Sequence, residues 1–128
     1  MTTTDLALKY AALDFLKLAA AGNVDEAFER HVVDSNFRHH NPGFRGDAPA
    51  LREAMQANAR QNPDKRLEVQ RALQDGNEVM VFSRVRQSED DRGAAVIHLF
   101  RFEDGMIAEL WDVGQAIPED SVNEHGMF

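Results

Sequence analysis

The chain has no cysteine, which removes disulfides, thiolate nucleophiles and sulfur-ligated zinc at once. That fits a reducing compartment, and a cytoplasmic location is the expectation. Positive charge is scarce, with 14 Lys and Arg against 22 Asp and Glu for a net charge of −8. Nucleic acids and anionic membranes repel such a surface, so neither is expected as a partner. No apolar run is long enough to span a bilayer, and Met1-Thr2-Thr3-Thr4-Asp5 lacks the basic segment and apolar core of a signal peptide. A glycine-rich phosphate loop, an internal repeat and a low-complexity linker are also missing. What is present is 128 residues, 43% of them hydrophobic, which suffices for one domain with its own core. Small molecules and other proteins remain as partners.

The first half reads as helical. Leu6, Leu8, Leu13, Phe15, Leu16 and Leu18 stand among alanines over residues 5–21 and predict a helix with a broad apolar face, stopped by Gly22. Asn23 followed by Glu26 resembles a capping box, starting a short helix through about His31. A polar-aromatic stretch, Asn36-Phe37-Arg38-His39-His40-Asn41, leads into a Pro42-Gly43 turn. Asp47 is placed to cap a third helix over 48–61, with Leu51, Ala54, Met55 and Asn58 on one face and Pro63 beyond its end.

From Lys65 onward the period changes to two. Leu67, Val69 and Leu73 precede the turn Asp75-Gly76-Asn77; Val79, Val81 and Val85 alternate with Met80, Phe82 and Arg84; and 96–102 and 107–113 follow as further strands. The run Glu89-Asp90-Asp91-Arg92 reads as a solvated hairpin loop. Helices followed by antiparallel strands predict an α+β fold, with helices closing one side of a bent sheet like a cone. Several strands are apolar on both faces, so the outer face also needs a cover. A second copy of the sheet is the expected one, giving a homodimer. Residues 118–128 form a polar tail whose last apolar pair, Met127-Phe128, is expected to dock onto the domain or its partner.

Two ionisable side chains inside strand-like segments stand out, His98 within 94–102 and Asp112 within 106–114, separated by Glu103-Asp104-Gly105. The turn decides whether they meet. A two-residue loop at Asp104-Gly105 pairs His98 with Trp111 and turns Asp112 away; a type I turn with Gly105 as a bulge pairs His98 with Leu110 and sets Asp112 diagonally on the same face. The second arrangement is favoured for Glu-Asp-Gly, and the first remains open. Asp112 could also be an ordinary carboxylate paired with Arg84 or Arg86, and His98 a hydrogen-bonded strand histidine.

The order of elements, with Phe37-Arg38-His39-His40-Asn41-Pro42, His98-Leu99-Phe100-Arg101-Phe102-Glu103-Asp104-Gly105 and Ile107-Ala108-Glu109-Leu110-Trp111-Asp112-Val113-Gly114-Gln115, resembles the SnoaL-like polyketide cyclase family of the NTF2-like superfamily. The resemblance covers nearly the whole chain, including the Met-Phe ending. It implies the cone-shaped fold, an acid-base aspartate at Asp112, a pocket histidine at His98, and a polar pocket-mouth residue at His40 or, less directly, Asn41. Around Asp112 the sequence is less polar than in the antibiotic cyclases, which argues against a bulky aromatic substrate. The fold hosts cyclases, isomerases, dehydratases, hydrolases and non-catalytic binding domains, so it names no reaction.

The chemistry these residues suit is proton abstraction next to a carbonyl. A carboxylate in an apolar cone is a stronger base, and an imidazole donor stabilises the resulting enolate oxygen. Asp112 is the candidate base, with His98 and His40 as candidate donors. No metal or organic cofactor is called for. Of His39 and His40 only one can enter a pocket, since strand neighbours point oppositely, and His40 is favoured. Phe15, Met55, Phe82 and Phe100 are candidate pocket walls as well as candidate plain core, and Phe44 is a candidate lid. Trp111 and Glu109 alternate with Asp112 and are expected on the outer face, with Trp111 a natural dimer anchor. A metal site built from His39, His40, His98 and a carboxylate lacks supporting spacing. The competing function is a non-catalytic module binding a small apolar ligand or a protein through the same cone, and a third is a structural dimer whose cone fills itself.

Overall fold

The computed structural model describes residues 3–128, with side chains from Ala7 onward. Leu6, counted above on the apolar face, lies outside the described side chains. Helix α1 (Thr3–Ala20) closes as its pattern predicts: Gly22 adopts φ +90°, its N–H donates to Ala19 O at 3.1 Å, and Asn23 N–H reaches Leu18 O at 2.8 Å. These paired bonds satisfy the last carbonyls through a left-handed glycine. Asn23 is thereby committed to ending α1, and its backbone (φ −89°, ψ 55°) is not extended as an N-cap requires. Its side chain makes no cap hydrogen bond to helix α2 (Val24–His31), so the capping-box expectation fails. Helix α3 (Ala48–Gln61) starts as read, with Asp47 Oδ1 accepting from Ala50 N–H at 2.9 Å.

The sheet has five strands in the order β1-β5-β4-β3-β2. They are β1 (Arg38–His39), β2 (Arg66–Asp75), β3 (Glu78–Arg86), β4 (Ala94–Glu103) and β5 (Met106–Ala116). Strand β1, read from sequence only as a polar-aromatic stretch, pairs parallel with β5, Arg38 opposite Glu109 and His39 opposite Leu110. The other neighbours are antiparallel. The three helices lie against one face of this sheet, giving the α+β cone expected from the sequence. No helix among the described residues is long and apolar enough to cross a membrane.

Burial separates the sheet's two faces. Val79, Val81 and Phe100 are fully enclosed beneath the helices, while Met80, Phe82, Ile97 and Leu99 alternate onto the outer face and are half-buried. Phe15 of α1 joins the layers, its ring edge-on to Phe28 at 5.5 Å and to Phe100 at 5.8 Å. Phe15 and Phe100 are therefore central core residues. The tail returns to the outer face, where the Phe128 ring lies 5.6 Å from that of Phe82.

The β4-β5 hairpin takes neither of the two expected registers. Asp104 (φ 51°) and Gly105 (φ 81°) form a two-residue turn that pairs Glu103 with Met106. Phe102 then pairs with Ile107, but Arg101 pairs with Glu109, so Ala108 is an extra residue. The bulge leaves residues 107–110 consecutively buried and shifts everything beyond it by one place. His98 consequently stands directly opposite Asp112.

Because Phe100 is fully buried and edge-packed on Phe15, Phe100→Ala should lower unfolding free energy by about 3–5 kcal/mol. Urea denaturation followed by circular dichroism measures it; a loss below about 1 kcal/mol would mean that this layer does not hold the sheet to the helices.

Candidate functional site

Directly paired residues on antiparallel strands share a face, with Cβ atoms about 5 Å apart. His98 and Asp112 therefore project together from the concave face, beside Phe100 and Leu110, which are buried there. The His98 ring stacks 6.2 Å from the Phe100 ring. His98 Nδ1 is fully enclosed and has no hydrogen-bond partner. Burial pushes the imidazole down to about 4; Asp112 opposes that shift and Lys65 adds to it. At neutral pH His98 is uncharged.

Asp112 is held from the side by a loop. Asn41, just past β1, accepts Gly43 N–H on Oδ1 at 2.8 Å, which turns its Nδ2 toward Asp112. That amide donates to Asp112 Oδ1 and Oδ2 at 3.3 and 3.2 Å. The arginines considered as alternative partners are engaged elsewhere, Arg84 on Arg92 O and Arg86 on Glu68. Asp112 forms no ion pair with an arginine among the described residues.

A cavity of about 130 Å³ opens between the C-terminal turn of α1, helix α3 and the sheet. Leu16, Met55, Leu67 and Val96 supply apolar walls, and His98 and Lys65 supply the polar ones. Of the site residues expected from sequence, Met55 and His98 line this cavity, while Asp112 and Asn41 lie on the same face of the sheet outside its lining. Phe15 and Phe100 are core. Phe82 is on the other side of the sheet, in an open groove of about 450 Å³ with Ile97, Val113 and Met127. Its expected pocket role is corrected by strand parity: Phe82 pairs with Ile97, whereas Val81 pairs with His98. Phe44 is an exposed loop residue.

The preference for His40 over His39 is reversed for the same reason. His39 pairs with Leu110 on the inner face and is buried, its Nδ1 accepting Asn41 N–H and its Nε2 bonding Arg45 O. It fastens the loop that carries Asn41. His40 faces outward, stacked on Trp111 with centroids 4.8 Å apart, and its Nε2 donates to Glu109 Oε2 at 2.6 Å. Glu109 also receives Arg101 Nε at 3.0 Å and Arg38 Nη2 at 3.3 Å. Burial alone would raise its carboxyl, but the bonds from His40 and Arg101 hold it below the ordinary range. Trp111 and Glu109 thus face outward as read, while His40 is separated from His98 by the thickness of the sheet. Among the described residues no three His, Asp or Glu side chains converge as metal ligands.

Sequence reasoning missed Lys65. The signal was available: Lys65, immediately before β2, continues the alternation of Leu67 and Val69 onto the inner face. Its ammonium donates to Asn58 Oδ1 at 2.8 Å, and burial pushes it below the usual lysine range.

The His98 shift fixes a pH dependence. The imidazole titrates near 6.5 in the unfolded chain and at about 4 in the fold, so the unfolded state binds more protons between these values. The stability tied to neutral His98 is complete above about pH 6.5 and is lost at about 1.4 kcal/mol per pH unit as pH falls toward 4. Unfolding free energies of wild type minus His98→Phe should therefore decline over that window and be flat above it. A difference independent of pH would show that His98 is not held neutral.

Comparison with known proteins follows the geometry. Residues 12–110 match the SnoaL-like domain family. A search of curated protein sequences returns no match. Among solved structures, a SnoaL-like protein of unknown function from Burkholderia thailandensis superposes with a TM-score of 0.72 at 16% identity, covering 91% of this chain and 99% of that one. An NTF2-like protein of unknown function from Burkholderia xenovorans gives 0.68 at 20%, covering 94% and 92%. A candidate polyketide cyclase from Acidithiobacillus ferrooxidans gives 0.68 at 15%, covering 85% and 88%. Identities this low speak for the fold alone. With the family matching over most of its length and the cone built as described, the chain belongs to the SnoaL-like domain family and has an NTF2-like fold.

Proposed function

We propose that the protein is a cofactor-independent acid-base enzyme acting on a small carbonyl compound. The observation that carries this reading is the direct pairing of His98 with Asp112 on the concave face, with the His98 ring on the cavity wall and without a side-chain hydrogen bond among the described residues. Asp112 removes a proton from the carbon next to the carbonyl, and the developing enolate oxygen takes a hydrogen bond from the neutral His98 ring. A neutral imidazole suits this task because it keeps one N–H to donate while placing no buried positive charge against the apolar wall. Asn41 holds the Asp112 carboxylate by donating to both of its oxygens. His40 has no part in this step. Aldol cyclisation, double-bond isomerisation and dehydration share it, and the small cavity favours a compact substrate. A similar fold in a candidate polyketide cyclase is consistent with such chemistry.

The cavity's mainly apolar wall also favours a second reading, binding of a small apolar ligand without turnover. One experiment separates the two. Small aldehydes and ketones are incubated with the protein in deuterated water, and loss of the α-proton signal is followed by nuclear magnetic resonance. Wild type should exchange at least one compound far above buffer, and Asp112→Asn should lower the rate by about 100- to 10,000-fold. Binding without exchange, or exchange that Asp112→Asn leaves intact, would sink the acid-base reading.

Assembly belongs to the same proposal. Val113 and Leu73 stay largely exposed on the outer face, at 66% and 54%, and the Met127-Phe128 ending covers only the region around Phe82. A second sheet removes that apolar surface from water and gives a homodimer. Sedimentation equilibrium should show a dimer for wild type and a monomer for Val113→Glu; a monomeric wild type would refute the arrangement.

A further inference from the structure

The inner cavity contains a charge that proton abstraction leaves unused. Lys65 lies on its wall with one donor taken by Asn58 Oδ1, and no carboxylate pairs with its ammonium among the described residues. An ammonium has three donors, and against apolar neighbours such as Leu16, Met55 and Leu67 the remaining ones are poorly solvated. A cation facing an apolar space without a counter-charge is relieved most directly by an anionic ligand. A second residue of the same lining points to a ligand: the His98 ring, which makes no side-chain hydrogen bond among the described residues. The two groups define a ligand with a negative end and a polar atom further along.

We propose that the cavity binds short-chain carboxylates, with the ligand's carboxylate on Lys65 and its chain running toward His98. Asp112 sets the direction, since it lies on β5, at the opposite side of His98 from β2, and repels a carboxylate from that end. The anion therefore sits at the Lys65 side and the reacting carbon at the Asp112 side. A volume of about 130 Å³ favours a chain of a few carbons. Resting on the acid-base reading above, this makes the substrate a short oxo acid, its carboxylate a handle and its carbonyl the reacting group.

The test uses butyrate, butyramide and butanol as probes of one length, titrated into the full-length protein at low salt by calorimetry. Butyrate should bind about tenfold or more tighter than butyramide. Lys65→Met should erase that preference while Lys65→Arg keeps it, with circular dichroism confirming that both variants fold. The ¹⁵N shifts of the His98 ring should move on adding butyrate to wild type. Equal affinity for the three probes, no binding of any, or a preference that survives Lys65→Met overturns the proposal. Asp112→Asn keeps the two readings apart: it abolishes α-proton exchange if the acid-base reading holds, yet the preference for butyrate over butyramide should persist in it.

Discussion

The pairing of β4 with β5 is the constraint on which the rest of this molecule depends. A regular ladder leading from the Asp104-Gly105 turn would place Trp111 opposite His98 and put Asp112 on the convex face. The extra residue at Ala108 reverses that outcome, because side chains alternate with a period of two and one inserted residue moves every later side chain across the sheet. The same shift turns Glu109 and Trp111 outward and brings Leu110 into the core. One residue thus determines which ionisable groups meet.

The two faces then solve different electrostatic problems. On the convex side Glu109 is buried but receives His40, Arg101 and Arg38, so its charge is compensated by partners that also reach solvent. Charge-assisted bonds of this kind suit a fixed structural role, locking β1 against β5. On the concave side the compensation is incomplete. His98 is held neutral by burial, Lys65 has an amide partner and no counter-anion among the described residues, and Asp112 is held by an amide. Incomplete satisfaction in a cavity is what a ligand site requires before its ligand arrives.

Much of the helical layer could be read from local chemistry. Gly22 ends α1 because a left-handed residue is needed there, and Asp47 starts α3 because its side chain fits the free N–H of Ala50. The capping expectation at Asn23 failed through a conflict that sequence does not reveal, since one residue cannot both finish α1 and take the extended backbone needed to begin α2. The site was harder to read. His98 and Asp112 do meet, but through a bulge at Ala108 that turn chemistry alone does not predict. Phe82 and His40 fell on the wrong face because their parity depends on register, and Lys65 was passed over although its alternation with Leu67 and Val69 marked it.

The residues by themselves determined the α+β class, the order of elements, the family resemblance and the pair of ionisable side chains in buried strands, since each follows from local period, turn chemistry or motif. Only the tertiary structure decided which faces those side chains share. Parity across a sheet depends on the summed register of every turn and bulge, and Ala108 carries no mark of being an extra residue until both strands are in place. Burial completed the assignment: the packing of helices over the sheet desolvates His98 and Lys65 and disfavours the charge on each, which no single segment of the chain encodes.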